Sequence, residues 1–83
     1  MLTLIETDED VRRSASEVLM AALARLHGAP YSTVRRIACD FDRGVLTLHG
    51  TVDSYYQKQY AQELVRNVDG IRQVANRVEV MAS

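Results

Sequence analysis

Apolar residues in the first third of the chain recur every three or four positions. Over residues 8–27 this spacing predicts an amphipathic helix, because the apolar set covers an arc of roughly 140° at about 100° per residue. Thr7 and Asp10 resemble a capping box at its start, and Gly28 and Pro30 mark its end. The residues expected to face the core are Val11, Ala15, Val18, Leu19, Ala22, Leu23 and Leu26.

The apolar period changes to two over residues 34–52, which is typical of strands. The sequence Asp42-Arg43-Gly44 interrupts this run and predicts a tight β-hairpin turn, with Gly44 where a positive φ is needed. Gly50 lies on the apolar face and would leave room for a helix or another backbone to approach closely. The alternating inward positions are Ile37, Cys39, Phe41, Leu46, Leu48, Gly50 and Val52.

A second helix and a last strand follow the hairpin. Ser54 and Gln57 form a capping box, and the helix behind them is predicted to end at Asp69-Gly70. Because a right-handed crossover joins two parallel strands, the last strand should run parallel to the second. The predicted inward residues are Tyr60, Ala61, Leu64, Val65 and Val68 on the helix, and Ile71, Val74, Val78 and Val80 on the strand.

The element order is therefore αββαβ, and the predicted fold class is α+β. Two helices would pack on one face of a three-stranded mixed sheet, because that sheet has one apolar face to cover. The chain has 83 residues, of which 47% are hydrophobic and 25% are charged, so we expect one globular domain over 1–83 with its core at about 8–80.

Charge and targeting signals narrow the classes of partner and compartment. The net charge of −1 gives no overall attraction to nucleic acid or to an anionic membrane. The N-terminus has no basic start and no long apolar run, and no stretch approaches the roughly 20 apolar residues of a membrane span. If Met1 is the true start, the expected location is the cytoplasm.

Two stretches together resemble a known family. Residues 44–52, Gly-Val-Leu-Thr-Leu-His-Gly-Thr-Val, are similar to the glycine- and valine-rich hairpin strand of the BON domain. Residues 68–80 resemble its closing segment, with Val68-Asp69-Gly70-Ile71, Asn76 and Val78-Glu79-Val80 in order. In this order and spacing the pieces are specific to the BON domain family, and the resemblance covers residues 8 to 80.

The resemblance implies an αββαβ fold and a non-catalytic attachment role. BON domains are usually associated with bacterial envelopes and thought to bind phospholipid, so acidic phospholipid is the ligand that the resemblance implies. This sequence contains one copy of the motif and no export signal. The family's motif residues are structural ones, represented here by Gly44, Gly50, Gly70 and Asn76.

We find no pattern typical of catalysis, of a metal site or of a cofactor site. The candidate nucleophile is Cys39, with His27 or His49 as its base, but Cys39 should face inward while His49 faces outward. Two distant histidines do not make a metal site, and no phosphate-binding glycine loop is present. We therefore expect no catalytic residues, no metal and no cofactor.

The second helix carries the candidate contact residues. On a helical wheel, Tyr55 lies beside Gln59 and Arg66, with Lys58 flanking it and Tyr56 at the other boundary. Exposed rings with cationic neighbours suit a lipid headgroup region or a protein hot spot. The alternative is that both tyrosines cover the loop after the hairpin, steadied by Tyr31.

Three hypotheses follow. The leading one is a BON-type module that binds anionic phospholipid. The second is a module for protein interaction or for homo-oligomer formation. Its candidate interface is the outer side of the first helix, with Met20, Ala21 and Ala24. The third, RNA binding of the KH type, requires a Gly-X-X-Gly loop that the sequence lacks, so no nucleic-acid partner is expected.

Overall fold

A computed structural model describes residues 14–81 of the chain. Within them the structure confirms the α+β class and the three-stranded mixed sheet. The elements are α1 (Ala15–His27), α2 (Ser32–Arg35), β1 (Ala38–Asp42), β2 (Val45–His49), β3 (Thr51–Val52), α3 (Tyr55–Val65), β4 (Gln73–Asn76) and β5 (Glu79–Val80).

Strands β1 and β2 form the predicted antiparallel hairpin. Cys39 lies opposite Leu48 and Asp42 opposite Val45, so the loop between the strands has two residues. Arg43 has a φ of 52° and Gly44 a φ of 85°. Two consecutive positive φ values are the geometry that lets a two-residue turn follow the twist of its strands.

The central strand β2 also pairs with β4, and the two are parallel as predicted. The sheet order is β1-β2-β4, with Leu46 opposite Val74 and Leu48 opposite Asn76. Helix α3 supplies the crossover between the second and the last strand, as the sequence indicated.

The predicted second and last strands are each divided in two. Strands β3 and β5 pair in parallel with the same offset along the chain as β2 and β4. The amide of Arg77 donates to the carbonyl of Leu48 at 2.9 Å, and that of Glu79 donates to Gly50 at 2.9 Å. The ladder therefore continues across the interruption, and the division is a local distortion rather than a change of register.

Helix α1 begins later than the periodicity predicted. Ser14 is extended, with φ −65° and ψ 152°, and its hydroxyl accepts a hydrogen bond from the amide of Glu17 at 3.2 Å. An extended Ser14 rules out one continuous helix over 8–27; the Thr7–Asp10 capping box and Val11 lie outside the described residues. Ala15, expected in the core, is exposed because it lies in the first turn.

Helix α3 ends at Val65, four residues before the predicted end. The amide of Val68 returns to the carbonyl of Val65 at 3.1 Å, so the chain leaves the helix in a tight turn. Asn67, Asp69 and Gly70 follow, and such residues favour turns over helix. Val68 is buried all the same, so the prediction of its burial was right and that of its conformation was wrong.

Val34 lies in the short helix α2, and not at the start of a strand as predicted. The guanidinium of Arg35 donates to the carbonyl of Ala29 at 2.8 Å, and the amide of Ile37 donates to the carbonyl of Val34 at 3.2 Å. These bonds fold the segment back before β1 starts. Val34 is fully buried, and burial alone could not distinguish the two conformations.

One apolar core lies between the sheet and the helices. The predicted inward residues Tyr60, Leu64, Leu19 and Leu23 are only half-buried, since they lie at the rims of their helices. The guanidinium of Arg25 on α1 donates to the carbonyl of Leu64 on α3 at 3.2 Å, which joins the two helices. Buried core residues are Val18, Ala22, Leu26, Ala29, Val34, Ile37, Leu46, Leu48, Val52, Ala61, Val65, Val68 and Val78.

Candidate functional site

Two tyrosines protrude from the first turn of α3. The residue surfaces of Tyr55 and Tyr56 are 71% and 63% exposed. We call Tyr55, Tyr56 and Lys58 the aromatic turn. Large apolar groups are seldom left in water at adjacent positions without a partner, so this turn is the first candidate for a contact surface.

The predicted capping box holds the aromatic turn in place. The Ser54 hydroxyl accepts from the amide of Gln57 at 3.2 Å. The side-chain oxygen of Gln57 accepts from the amide of Asp53 at 3.0 Å, one residue earlier than in the usual capping box, and from the Thr33 hydroxyl at 2.7 Å. The start of α3 is thereby tied both to the strand before it and to α2.

Tyr56 is one corner of a cluster of three tyrosines. Its ring lies 6.2 Å from that of Tyr31, edge to face, and 6.0 Å from that of Tyr60, nearly parallel. Tyr31 and Tyr60 also meet edge to face at 5.4 Å. Burial raises the pKa of the Tyr31 phenol, and Tyr56 and Tyr60 add to this shift. The predicted support of Tyr56 by Tyr31 is therefore present.

Tyr55 has a different neighbour. The ammonium of Lys58 lies 5.9 Å from the centre of the Tyr55 ring, within the range of a cation–π contact. Asp53 is exposed just before the helix, so a carboxylate is near this ammonium along the chain. The aromatic turn is thus not strongly cationic.

The other two predicted contact residues differ in position. Gln59 is exposed one helical turn after Tyr55, which places both residues on the same side of α3. Arg66 lies just beyond the C-terminal end of α3 and its guanidinium is 3.2 Å from the Glu63 carboxylate. At 1.5 Å per residue, Arg66 is roughly 16 Å from Tyr55 along the axis, so the two share an angle on the wheel but not a site.

Asn76 joins the strand interruption to α3. Its amide nitrogen donates to the Lys58 carbonyl at 3.0 Å and to the Gln62 side-chain oxygen at 3.2 Å. Its side-chain oxygen accepts from the amide of Val78 at 3.2 Å. The side chain that fixes the distorted strand thus also contacts the helix that carries the aromatic turn.

Glycines occur where the backbone requires them. A Cβ on Gly44 would lie 2.6 Å from Nε of Arg72, in addition to the positive φ. Gly50, at the division of β2 from β3, has a φ of 151°, and a Cβ there would be 3.4 Å from Cα of Ile37. Gly70, in the turn after α3, has a φ of 100°.

Cys39 and His49 lie on opposite faces of the sheet. Cys39 pairs with Leu48, which is buried under the helices, whereas His49 faces out. Nε2 of His49 lies 3.3 Å from Oδ2 of Asp40 on the outer face. The structure therefore does not bring this thiol and this imidazole together.

The sequence matches one family over most of its length. The BON domain profile matches residues 11–82, which contain both glycine-rich stretches and Asn76. The chain belongs to the BON domain family. No curated protein matches it.

Two solved structures share the fold of this BON domain. One is the C-terminal domain of CdsD, the structural protein of the type III secretion system of Chlamydia trachomatis, with 20% identity and a TM-score of 0.66 over 81% of this chain. A second structure of CdsD gives 15% identity and a TM-score of 0.72 over 99% of this chain. The BON domain covers only 33% and 44% of those chains.

Met81 is an exposed residue that the sequence analysis missed. It is 68% exposed, and its amide donates to the carbonyl of Val52 at 2.8 Å. Val52 precedes the cap of α3 by two residues, so Met81 follows β5 at the end of the sheet where α3 begins. A single apolar residue after a strand has no recognisable sequence pattern. Its position beside the start of α3 follows only from the hydrogen bonds between β3 and β5 and their continuation to Met81.

Residues 14–81 contain no group of three or more His, Cys, Asp and Glu side chains that could hold a metal ion. None of the helices they form is long and apolar enough to cross a membrane.

Cys39 should react slowly with iodoacetamide in the folded domain. Burial raises the pKa of its thiol to about 11, and nearby Asp40 adds to the shift. At pH 8 we expect the folded protein to be alkylated about 100-fold more slowly than the urea-unfolded protein, since the thiolate is the reactive form. The folded rate should keep rising with pH up to about 11, the pKa of the folded thiol. Equal rates at pH 8 would contradict the half-buried position of Cys39.

Proposed function

We propose that this BON domain is a non-catalytic docking module that binds a protein partner through the aromatic turn. The observation that carries the proposal is the exposure of two tyrosine rings, 71% and 63%, at consecutive positions of one helical turn. Tyrosine is enriched among the residues that contribute most to protein interfaces, because its ring buries a large area and its hydroxyl can bond at the rim.

Pre-organisation supports this role. Tyr56 already packs against Tyr31 and Tyr60, so a partner would not have to immobilise it. Immobilising a free side chain at an interface costs about 0.5–1.5 kcal/mol, and the tyrosine cluster avoids much of that cost. Tyr56 therefore acts as the fixed anchor, and Tyr55 with Lys58 supplies an adaptable contact beside it.

Met81 extends the apolar surface. It lies at the same end of the domain as the aromatic turn and is 68% exposed. Methionine adapts its shape to irregular surfaces more easily than branched residues do. Rings and a thioether at one end suit a protein surface with apolar pockets.

Charge favours a protein partner over an anionic surface. Each cation near an anionic membrane contributes about 1 kcal/mol, and the aromatic turn offers one, Lys58, with Asp53 close by along the chain. The fold shared with CdsD, a structural protein of a type III secretion system, also supports a docking role.

Anionic phospholipid is the second candidate. The observation that favours it is the ammonium of Lys58 placed 5.9 Å from the Tyr55 ring, because tyrosine and lysine together are typical of membrane-interface anchors. With so few cations, such binding would require several copies acting together.

Photo-crosslinking from the aromatic turn tests the proposal. We replace Tyr55 with benzoylphenylalanine in the producing cells and use Glu63, exposed on the same helix, as the matched position. We expect discrete protein adducts from position 55 that are absent from position 63. With the identified partner, Tyr55→Ser with Tyr56→Ser should raise the Kd at least about 30-fold, as for interface hot spots.

Vesicle sedimentation separates the two candidates. The probes are vesicles of phosphatidylglycerol and of phosphatidylcholine, each with the unchanged domain and with the double tyrosine variant. We expect no sedimentation with either lipid. Protein docking would be contradicted if the domain sedimented with phosphatidylglycerol but not with phosphatidylcholine, if the double variant abolished this sedimentation, and if position 55 gave no protein adducts. That combination would assign the aromatic turn to lipid binding.

A further inference from the structure

The sheet of the described residues ends in an open edge formed by β4 and β5. Strand β4 is the last in the order β1-β2-β4, and β5 pairs with β3 alone among these residues. Alternate amides of this segment bond inward at 2.8–3.2 Å, to carbonyls of residues 44–52; they are those of Gln73, Arg77, Glu79 and Met81. Because the bonding direction alternates along a strand, the amides of the residues between them point away from the sheet.

The outward amides are not all available to a partner. The side-chain oxygen of Asn76 accepts from the amide of Val78 at 3.2 Å, where the strand is interrupted. Val74 lies on one side of this interruption and Val80 on the other, and both direct an amide and a carbonyl to the open edge. The edge thus offers strand pairing along β4 and again along β5, with Asn76 covering the gap between them.

Helix α3 lies over this edge on one flank. The Asn76 amide nitrogen donates to the Gln62 side chain at 3.2 Å and to the Lys58 carbonyl at 3.0 Å, so the Gln62 flank faces β4. At 100° per residue, Tyr55 lies about 20° from Gln62, whereas Tyr56 lies about 120° away from it. Of the two exposed rings, Tyr55 is therefore the one that overhangs the strand edge.

Tyr55 and Val80 lie at the same end of the domain. Counted from the contact between α3 and Asn76, Tyr55 is about 10 Å back along the helix and Val80 is about 13 Å on along the strand. Both steps lead toward Val52, which pairs with Val80 and precedes the cap of α3 by two residues. A segment added to this edge would thus lie beside α3, with Tyr55 above it near Val80.

We propose that the partner of the aromatic turn docks as an extended segment of another protein, which pairs with the β4–β5 edge and places an apolar side chain between Tyr55 and Met81. The inference rests on the proposed docking function and specifies the form in which the partner is recognised. The edge selects an extended backbone, because amides and carbonyls spaced along a strand are matched by those of another strand. Main-chain bonds then supply affinity, and Tyr55 with Met81 selects the side chain.

The charges beside the edge favour an acidic residue in that segment. Lys58 lies above the edge on the helix side, and exposed Arg77 lies on the opposite face of the sheet. Neither cation belongs to the ion pairs formed within residues 14–81. Glu79 is the one carboxylate of β4 and β5, so the acidic residue is expected beside β4. The other sheet edge, β1, carries exposed Asp40 and Asp42, which would repel such a segment.

Proline at position 80 tests the pairing. The Val80 amide points away from the sheet, so Val80→Pro removes one edge donor and leaves the ladder intact. Val80→Ala is the matched control, since it shortens the same side chain and keeps the amide. With benzoylphenylalanine at position 55 of the full chain in the producing cells, we expect the yield of protein adducts to fall at least about tenfold in Val80→Pro and to be kept in Val80→Ala. Circular dichroism verifies folding, and Val74→Pro with Val74→Ala repeats the comparison on β4.

The outcomes distinguish this inference from the docking function. Equal adduct yields in the folded proline and alanine variants would overturn strand pairing and leave docking through the aromatic turn in place. A lack of adducts from the otherwise unchanged domain would contradict docking and strand pairing together. Adducts only of twice the mass of the domain would identify a second copy as the occupant and overturn the assignment to another protein.

Hydrogen exchange provides a readout that needs no variant. In the complex with the protein identified by crosslinking, the amides of Val74 and Val80 should exchange at least about tenfold more slowly than in the free domain, because pairing protects an edge amide. Exposed Asn67, in the turn after α3, is the internal reference and should not change. Unchanged exchange at both valines would overturn the proposal.

Discussion

Replacing Leu48 with alanine should lower the free energy of unfolding by about 3–5 kcal/mol, the range for a fully buried leucine. Leu48 is 0% exposed, and it lies in the central strand between Cys39 on β1 and Asn76 on β4. Neither neighbouring strand can move inward to fill the gap without breaking its pairing. The cavity should therefore stay largely open, which places the cost in the upper part of the range.

Urea denaturation followed by circular dichroism measures this cost. A domain of 83 residues has a stability of about 4–12 kcal/mol, so the variant should lose a large share of it. Leu23→Ala is the control, because Leu23 is only half-buried and alanine favours helix; its cost should stay below about 1.5 kcal/mol. Equal costs at both positions would contradict the central place of Leu48.

Periodicity identified the elements but not their ends. The apolar spacing continues through Ser14, yet Ser14 is the cap of α1 and binds the amide of Glu17. Ser14 and Glu17 have the spacing of a capping box, so the sequence itself contains a signal for a start at Ser14 in addition to the one predicted at Thr7. The hydrogen bond to Ser14 sets the start of α1, whereas the apolar pattern alone predicts a start several residues earlier.

The helical wheel explains why Arg66 was grouped with Tyr55. A wheel shows the angle of each residue but not its height along the axis, and Tyr55 is the first residue of α3 whereas Arg66 lies just beyond its last. Tyr56 shows the opposite case. Its exposure could be predicted from the wheel, but its packing against Tyr31 depends on the loop before α2, which the wheel does not describe.

The division of the last strand depended on a long-range contact. Val74, Val78 and Val80 have the alternation of one strand, and nothing in that pattern marks a break at Arg77 and Val78. The break is fixed by Asn76, whose partners Lys58 and Gln62 are distant in sequence. The resemblance to the BON domain singled out Asn76, and the structure supplies the bonds that this residue makes.

Asn76→Ala should therefore destabilise the domain by about 2–3 kcal/mol, since it removes three hydrogen bonds and leaves the amide of Val78 without its side-chain acceptor. Thermal or urea unfolding measures the loss. Asn67→Ala is the matched control, because Asn67 is exposed, and its cost should stay within about 0.5 kcal/mol.

Asn76→Asp separates the two roles of this side chain. It keeps an oxygen for the Val78 amide, but it turns the donor toward Lys58 and Gln62 into a second acceptor that faces two oxygens. We expect the free energy of unfolding to fall at least as much as in Asn76→Ala. The new carboxylate oxygen repels the Lys58 carbonyl and the Gln62 side-chain oxygen, where the amide of Asn76 had donated hydrogen bonds. An aspartate variant as stable as the unchanged domain would mean that the contact with α3 is dispensable, and that the strand distortion alone requires Asn76.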